Sequence, residues 1–303
     1  MHEEFERIYQ DLYNKHFNKL ERIRRNVILR AIIQSFFIII IGFKIKNIEY
    51  VKMDDPLILI SILIIMVLLY FSSRSVKKYK EIYKKNIISN LIKRANNKLE
   101  YKPTSTKDDY MEDEYRNANF DNKHFNHFYQ DDYIEGVLYK DIFGKIVNIR
   151  TQIKLERGFG RYSLSAYQFK GIFSHLKYDK GIGTYIKISK NANATFKYNE
   201  KIEIESTEFE KYFDVDAENK TVMKQLLTSN TMMLLMDFYD KCKINYDIVV
   251  KDNNIYMRFF MESLFEPKIF DKSIDKELLL QYYCTVKFIN NIAEEFDRVL
   301  KEM

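Results

Sequence analysis

A chain of 303 residues with 46% hydrophobic and 15% aromatic residues, yet only 8 glycines and 3 prolines, can fill a sizeable core and is neither collagen-like nor a Pro/Gly-rich disordered chain. Heavy use of Ile, Asn, Lys and Tyr is the bias an AT-rich genome imposes, and the excess of Lys behind the formal charge of +6 is part of it, so the basic balance is poor evidence for a nucleic-acid partner, and none is expected. The two cysteines, Cys242 and Cys284, lie far apart and outside any metal-like spacing, which argues against a disulfide framework and fits two reduced thiols.

The first apolar segment, "VILRAIIQSFFIIIIGF" (Val27 to Phe43), follows a charged, helix-like leader. No small-residue cleavage pattern comes after it, so it is expected to be retained rather than removed as a signal. Arg30 sits one turn from its start, where a long side chain reaches the headgroups. The second segment, Pro56 to Phe71, holds twelve Leu, Ile, Val or Phe residues and only Ser61 as a clearly polar one, so no helical face is left for water. Twelve such residues are worth roughly −4 to −7 kcal/mol on insertion, and about 18 to 20 residues at 1.5 Å rise cross the hydrocarbon. Two transmembrane helices are therefore expected, over about 27–45 and 56–73.

Their flanks set the expected orientation. Lys15, Lys19, Arg22, Arg24, Arg25 and Arg30 precede the first span against Glu21, and Arg74, Lys77, Lys78, Lys80, Lys84 and Lys85 follow the second against Glu81. The connector balances Lys44, Lys46 and Lys52 with Glu49, Asp54 and Asp55. By the positive-inside rule both termini face the cytoplasm of a cell-membrane protein with two spans. Helical spacing continues outside the hairpin, at Phe5, Ile8 or Tyr9, Leu12, Phe17, Leu20 and Ile23 and again at Tyr79, Tyr83, Ile87, Leu91 and Ala95, as two helices able to pair as an antiparallel stalk. Residues 1–100 are read as this hairpin with its extensions, with Pro103 ending the second helix. The acidic, low-apolar stretch 101–121 reads as a linker and 122–303 as a cytosolic domain.

In that domain the period changes. "VNIRTQIKLE" alternates Val147, Ile149, Thr151, Ile153 and Leu155 with polar residues, as a half-buried strand requires, and "RGFG" turns it toward "YSLSAYQFKGIF". "TYIKIS" and "KIEIES" are two short strands. Residues 217–242 read as two helices broken near Ser229, and 244–261 as a hairpin turned by "KDNN". From Asp275 onward Leu278, Tyr282, Val286, Ile289, Ala293, Phe296 and Leu300 mark one long amphipathic helix. The fold class is α+β: a transmembrane helical hairpin, then a mainly antiparallel sheet domain with packed helices and a long C-terminal helix.

The segments "DDYIEGVL" (Asp131 to Leu138), "FKGIF" (Phe169 to Phe173), "KIEIESTEFEKYFDV" (Lys201 to Val215), "LLTSNTM", "NIYMRF" and "LFEP" (Leu264 to Pro267) occur in the order seen in domain-of-unknown-function family 3137, which the chain resembles over nearly its whole length. The resemblance implies a bacterial protein with two N-terminal spans and a cytosolic domain, but no reaction and no catalytic residue. Lys220 to Lys224 depart from the Ala/Arg-like helix start of that pattern, and "KNANATFKYNE" is an Asn-rich insertion.

Few residues suggest chemistry. His124 and His127, three apart and close to Asp131 and Asp132, have a spacing that can offer a metal two imidazoles and a carboxylate, yet no third ligand of obvious spacing follows, and surface histidines in a linker are the default. "DKGIGTYIKIS" has glycines ahead of a strand, whereas a phosphate loop precedes a helix, so it is a turn. The acids Glu205, Glu208, Glu210, Asp214 and Asp216 form a general acid-base candidate, outweighed by Phe209 and Phe213 as anchors of a docked segment whose acids are solvated. Met232, Met233 and Met236 are more simply core than an adaptable binding surface. The sequence favours a membrane-anchored interaction or ligand-sensing domain without a cofactor, its partners being the bilayer and either another protein or a second copy of itself. The alternative is a membrane-tethered enzyme whose site no motif reveals.

Overall fold

The structure is a computed structural model that describes residues 2–46, 56–106, 109–120, 125–156, 163–179, 181–190, 204, 206–261, 265–272 and 274–302. The connector at 47–55, the "RGFG" turn, the Asn-rich insertion and most of "KIEIES" lie outside these residues. Two compact units make up the chain, one of His2–Asn90 with Glu266–Lys276 and one of Leu91–Phe265 with Glu277–Met303.

The first unit is built on α1 (His2–Lys46) and α2 (Pro56–Tyr83), which run on without a break from the apolar stretches into charged ones; a five-residue π turn (Lys84–Ile88) then leads into α3 (Ser89–Ala95). The stretches His2–Phe43 and Ile58–Ala95 are long and apolar enough to cross a membrane, and only 6% and 11% of their most apolar windows is buried. Ile32, Phe36, Phe43, Leu63 and Tyr70 are more than half exposed, which the core helices of a globular protein would not show. The Arg30 guanidinium donates across the pair to the Phe71 carbonyl (2.9 Å) and the Ser75 hydroxyl (2.7 Å), so its charge is met within the hairpin.

At the charged end the contacts change character. Phe5, Ile8, Leu12, Leu20, Tyr79, Tyr83 and Ile87 are buried, and Glu21 accepts from Arg24 (2.8 Å) and Arg25 (3.0 Å). Glu266 accepts from Lys80 (2.9 Å) and Lys84 (2.8 Å). Burial alone would raise the Glu266 carboxyl, but the hydrogen bonds from these two lysines outweigh it and hold the group below the usual carboxylate range.

The second unit is an eight-stranded sheet, paired antiparallel throughout, in the order β1-β2-β3-β4-β8-β7-β5-β6. Its strands are β1 (Leu99–Lys102), β2 (His127–Tyr139), β3 (Ile142–Glu156), β4 (Ser163–Lys177), β5 (Tyr185–Lys190), β6 (Phe213–Ala217), β7 (Tyr246–Lys251) and β8 (Asn254–Phe260). The helices are α4 (Glu112–Ala118), α5 (Thr207–Glu210), α6 (Lys220–Leu226), α7 (Ser229–Cys242) and α8 (Lys276–Glu302). Reading straight across the pairing, one row is Tyr101, Ile134, Ile146, Ser174, Met257, Ile248, Ile188 and Val215, and a neighbouring row is Leu99, Gly136, Gly144, Leu176, Ile255, Val250, Ile186 and Ala217. This apolar face packs against α7 and α8. Phe288 of α8 meets Phe238 (4.1 Å between ring centroids), Tyr246 (5.3 Å) and Phe259 (6.0 Å), and the Tyr246 hydroxyl donates to the Leu235 carbonyl (2.7 Å).

Local chemistry explains the helix ends. Asn219 caps α6 by accepting from the Thr221 and Val222 amides, and the Thr228 hydroxyl accepts from the Thr231 amide, which fixes the break between α6 and α7 near Ser229. All seven residues of the expected C-terminal stripe are buried in α8. Two motif glycines have a backbone reason: a Cβ at Gly136 (φ +147°) would lie 2.2 Å from the Lys98 carbonyl, and one at Gly171 would lie 1.9 Å from that of Phe259.

Three expectations change. The second long helix ends at Ala95, well before Pro103, because the Asn96 amide bonds the Val137 carbonyl (3.1 Å) and Asn290 Oδ1 (3.1 Å) and the chain enters β1. The stretch expected to be an acidic linker holds α4 and places Met111, Tyr115, Ala118 and Phe120 in a core cluster with Phe128, Phe169 and Phe173. The central part of β3, expected to be half-buried, is buried on both faces from Ile146 to Ile149, since α4 covers the side opposite α7 and α8.

Candidate functional site

Polar chemistry concentrates on the sheet face opposite α7 and α8. Across the strands, one row reads Lys102, Tyr133, Val147, Phe173, Arg258, Asp247, Ser189 and Asp214. The next reads Glu100, Glu135, Lys145, His175, Tyr256, Val249, Lys187 and Asp216. A solvated face would leave such residues exposed, yet Arg258, Asp247, Lys187, Ser189 and Asp216 are all buried.

The pairing accounts for how this is tolerated. Arg258 Nε donates to Asp247 Oδ2 at 2.6 Å, with both side chains under one-tenth exposed. The guanidinium also lies over the rings of Phe120 (4.7 Å), Phe260 (5.1 Å) and Phe169 (5.7 Å). Lys187 Nζ donates to the Phe120 carbonyl. One residue just past α4 thus supplies a carbonyl to one buried cation and a ring to the other. Asn119, in the left-handed region (φ 48°), ends α4 and turns the chain toward this position. The Ser189 hydroxyl, between Asp214 and Asp247 in its row, makes no hydrogen bond with a described residue.

At the centre of the face His175 stacks on Tyr256 (4.9 Å, 14° between planes) and bonds Asn254 Oδ1 through Nε2 at 2.8 Å. Burial pushes the imidazole below its ordinary pKa; the Asn254 bond and Glu114 pull it back up, while Lys145 and Lys177 lower it further. A depressed folded-state value means that the fold holds the neutral ring. Its contribution is complete above the unfolded value of about 6.5 and is lost as pH falls through the folded one. The melting temperature is therefore expected to fall from pH 7 to 5 more steeply in the parent chain than in His175→Gln, which does not titrate there; parallel profiles would contradict this role.

The histidine-rich candidate does not assemble. His124 lies outside the described residues. His127 opens β2, half-buried and stacked on Tyr129, with Asp131 four residues further along the same strand. Four residues of extended chain span about 13 Å, too far for the two to share an ion. Asp132 is fully buried with φ 49° at a register shift of β2, and its carboxylate accepts from the Tyr101 hydroxyl.

The carboxylate candidates divide. Glu205 lies outside the described residues, Glu208 is exposed, and Glu210 Oε1 accepts from the Ile204 amide (2.8 Å). Asp216 is buried and Asp214 half-buried, against the expectation that both are solvated, because Phe213–Ala217 is strand β6 and alternation turns 214 and 216 to the polar face. Phe209 and Phe213 are buried with ring centroids 5.0 Å apart, so the segment is docked as expected. Met233 is more than half exposed and Met232 and Met236 are half-buried, so the methionine-rich turn of α7 is not the core expected of it.

The arrangement binds a covering segment by its carbonyl and its ring. Sequence reasoning missed Arg258, Asp247 and Lys187; the one available signal was a charged residue at the same parity on each of three adjacent strands.

Comparison with known proteins agrees with five of the six motifs, the stretch Asp131 to Leu138 lying outside the match. The family model described as protein of unknown function (DUF3137) matches residues 167–298, from within β4 through most of α8. No curated protein matches the chain. Among solved structures, the crystal structure of the mycobacterial trehalose monomycolate transport factor A, TtfA, is similar at a TM-score of 0.33 and 9% identity, over 71% of this chain and 94% of that one.

Proposed function

We propose that this chain, a DUF3137 domain carried with two long apolar helices, is a membrane-anchored interaction or ligand-sensing module whose sheet unit works in the cytoplasm. The observation that carries the reading is the apolar surface of α1 and α2. Over the 32–43 and 59–71 stretches large apolar side chains point outward on nearly every side, and lipid is the solvent that rewards this arrangement. Lys and Arg flank the outer ends of both stretches, which supports cytoplasmic termini and an external connector. On the sheet unit, the buried cations hold the carbonyl and the ring of the chain's own Phe120, so the polar face is built to dock a segment of peptide, the kind of contact an interaction domain uses. Its partners are accordingly the bilayer and a protein, either another chain or a second copy.

Topology is tested by single cysteines in intact cells. Asn47→Cys is expected to react with a membrane-impermeant maleimide, and Glu218→Cys, at an exposed loop position, only after the membrane is opened. The parent chain is the control for its two buried thiols. Labelling of Glu218→Cys alone would invert the topology, and labelling of both in a soluble fraction would remove the membrane from the proposal.

A further inference from the structure

The two cysteines, distant in sequence, are brought together by the register of α7 against α8. Near the start of α7, Thr231 Oγ1 donates to Glu295 Oε1 (3.2 Å). Two turns on, Phe238 stacks on Phe288 with centroids 4.1 Å and planes 15° apart. One further turn along α7 is Cys242, and one turn back along α8 is Cys284. Each step forward on α7 is matched by an equal step back on α8, so the helices run antiparallel and the third layer of their contact is the pair of sulfurs. Both thiols are free and buried, and they hydrogen-bond to each other.

We propose that Cys242 and Cys284 form a reversible dithiol–disulfide pair, a redox-sensitive clasp between α7 and α8 that takes a hydroperoxide as its oxidant. The Cys242 thiol donates to Cys284, which lowers the pKa of Cys284 and raises that of Cys242, so Cys284 is the sulfur that gives up its proton first and attacks as a thiolate. That thiolate attacks the peroxide; the O–O bond breaks, the alcohol or water leaves with a proton, and Cys284 becomes a sulfenic acid. The Cys242 sulfur then attacks the sulfenic sulfur, an S–S bond forms, and water carries away the hydroxyl and the thiol proton. Two electrons pass from the sulfur pair to the peroxide, and a thiol reductant returns the pair to its first state.

Access comes through the end of α7. Cys242 is its last residue, Lys243 beyond it is exposed and left-handed (φ 52°), and Lys241 before it is exposed. Opening this final turn uncovers the sulfur without disturbing the sheet. Bond closure requires the two Cα atoms within about 7 Å, so the oxidised form holds the end of α7 against α8.

The test uses the full chain, reduced and purified in detergent, then exposed to hydrogen peroxide and alkylated under denaturing conditions. The expected intact mass is lower by two hydrogens with no alkylation. The product should form at a rate independent of protein concentration and be reversed by dithiothreitol. In Cys242→Ser the intermediate has no partner, and dimedone should trap a sulfenic acid at Cys284. Retention of two alkylatable thiols, or added oxygen without loss of two hydrogens, would overturn the clasp. Should the serine variant fail to fold, the parent measurement and Cys242→Ala decide the matter.

Discussion

Asp247→Ala is expected to cost the sheet unit about 3 to 5 kcal/mol, because it takes from a buried guanidinium the carboxylate it is joined to. Arg258 and Asp247 are side-chain neighbours on adjacent strands β8 and β7, joined at 2.6 Å, with 6% and 8% of their side chains exposed. A surface pair makes the contrast: Lys241 and Asp237 are 2.7 Å apart but each 56% exposed, so Asp237→Ala should change stability by under roughly 0.5 kcal/mol. The measurement is denaturant unfolding of the full chain in detergent, followed through the sheet signal. The double variant Asp247→Ala/Arg258→Met, which removes both charges and keeps an apolar stem among Phe120, Phe169 and Phe260, should recover much of the loss. A single Asp247→Ala as stable as the parent would mean that Arg258 has another route to solvent and that the polar face is less closed than its burial implies.

The same face shows where sequence reading stops. The α8 stripe was legible because seven apolar residues at helical spacing can bury themselves on only one side, and the hairpin β7–β8 because its alternation is bounded by a turn at Asp252 (φ 55°). In β5, Tyr185, Lys187 and Ser189 alternate with Ile186 and Ile188 in the pattern of a strand with one wet face, yet Lys187 and Ser189 are buried. What covers them comes from a stretch that looks like a linker by composition. Its anchors Met111, Tyr115, Phe120 and Phe128 follow neither a helical nor a strand period, since Met111 caps α4, Tyr115 lies within it, Phe120 lies in the turn after it and Phe128 on β2. Alternation tells which residues share a face; it does not tell whether a distant segment will close over that face. The apolar helices were legible for the opposite reason, since a run with no polar side needs no partner segment to be interpreted.

Phe213→Ala is the second large effect expected, about 3 to 5 kcal/mol of destabilisation with a sharp fall in melting temperature, against under roughly 0.5 kcal/mol for Glu208→Gln. Phe213 is 1% exposed on β6, the outermost strand beside β5, and its ring lies 5.0 Å from Phe209 and 5.4 Å from Tyr246. Phe209 is placed by α5, whose cap is the Ser206 hydroxyl accepting from the Phe209 amide (3.2 Å). The two rings therefore pin a short helix and an edge strand to the same apolar face, and truncating either opens a cavity that an edge strand with one neighbour cannot close by repacking. Glu208 is exposed on α5. Should Glu208→Gln keep the parent's melting temperature yet reproduce the phenotype of a deletion strain, the carboxylate would be a functional group and the segment more than an anchor. Should Phe213→Ala melt with the parent, the edge of the sheet would be held by its backbone pairing to β5 alone.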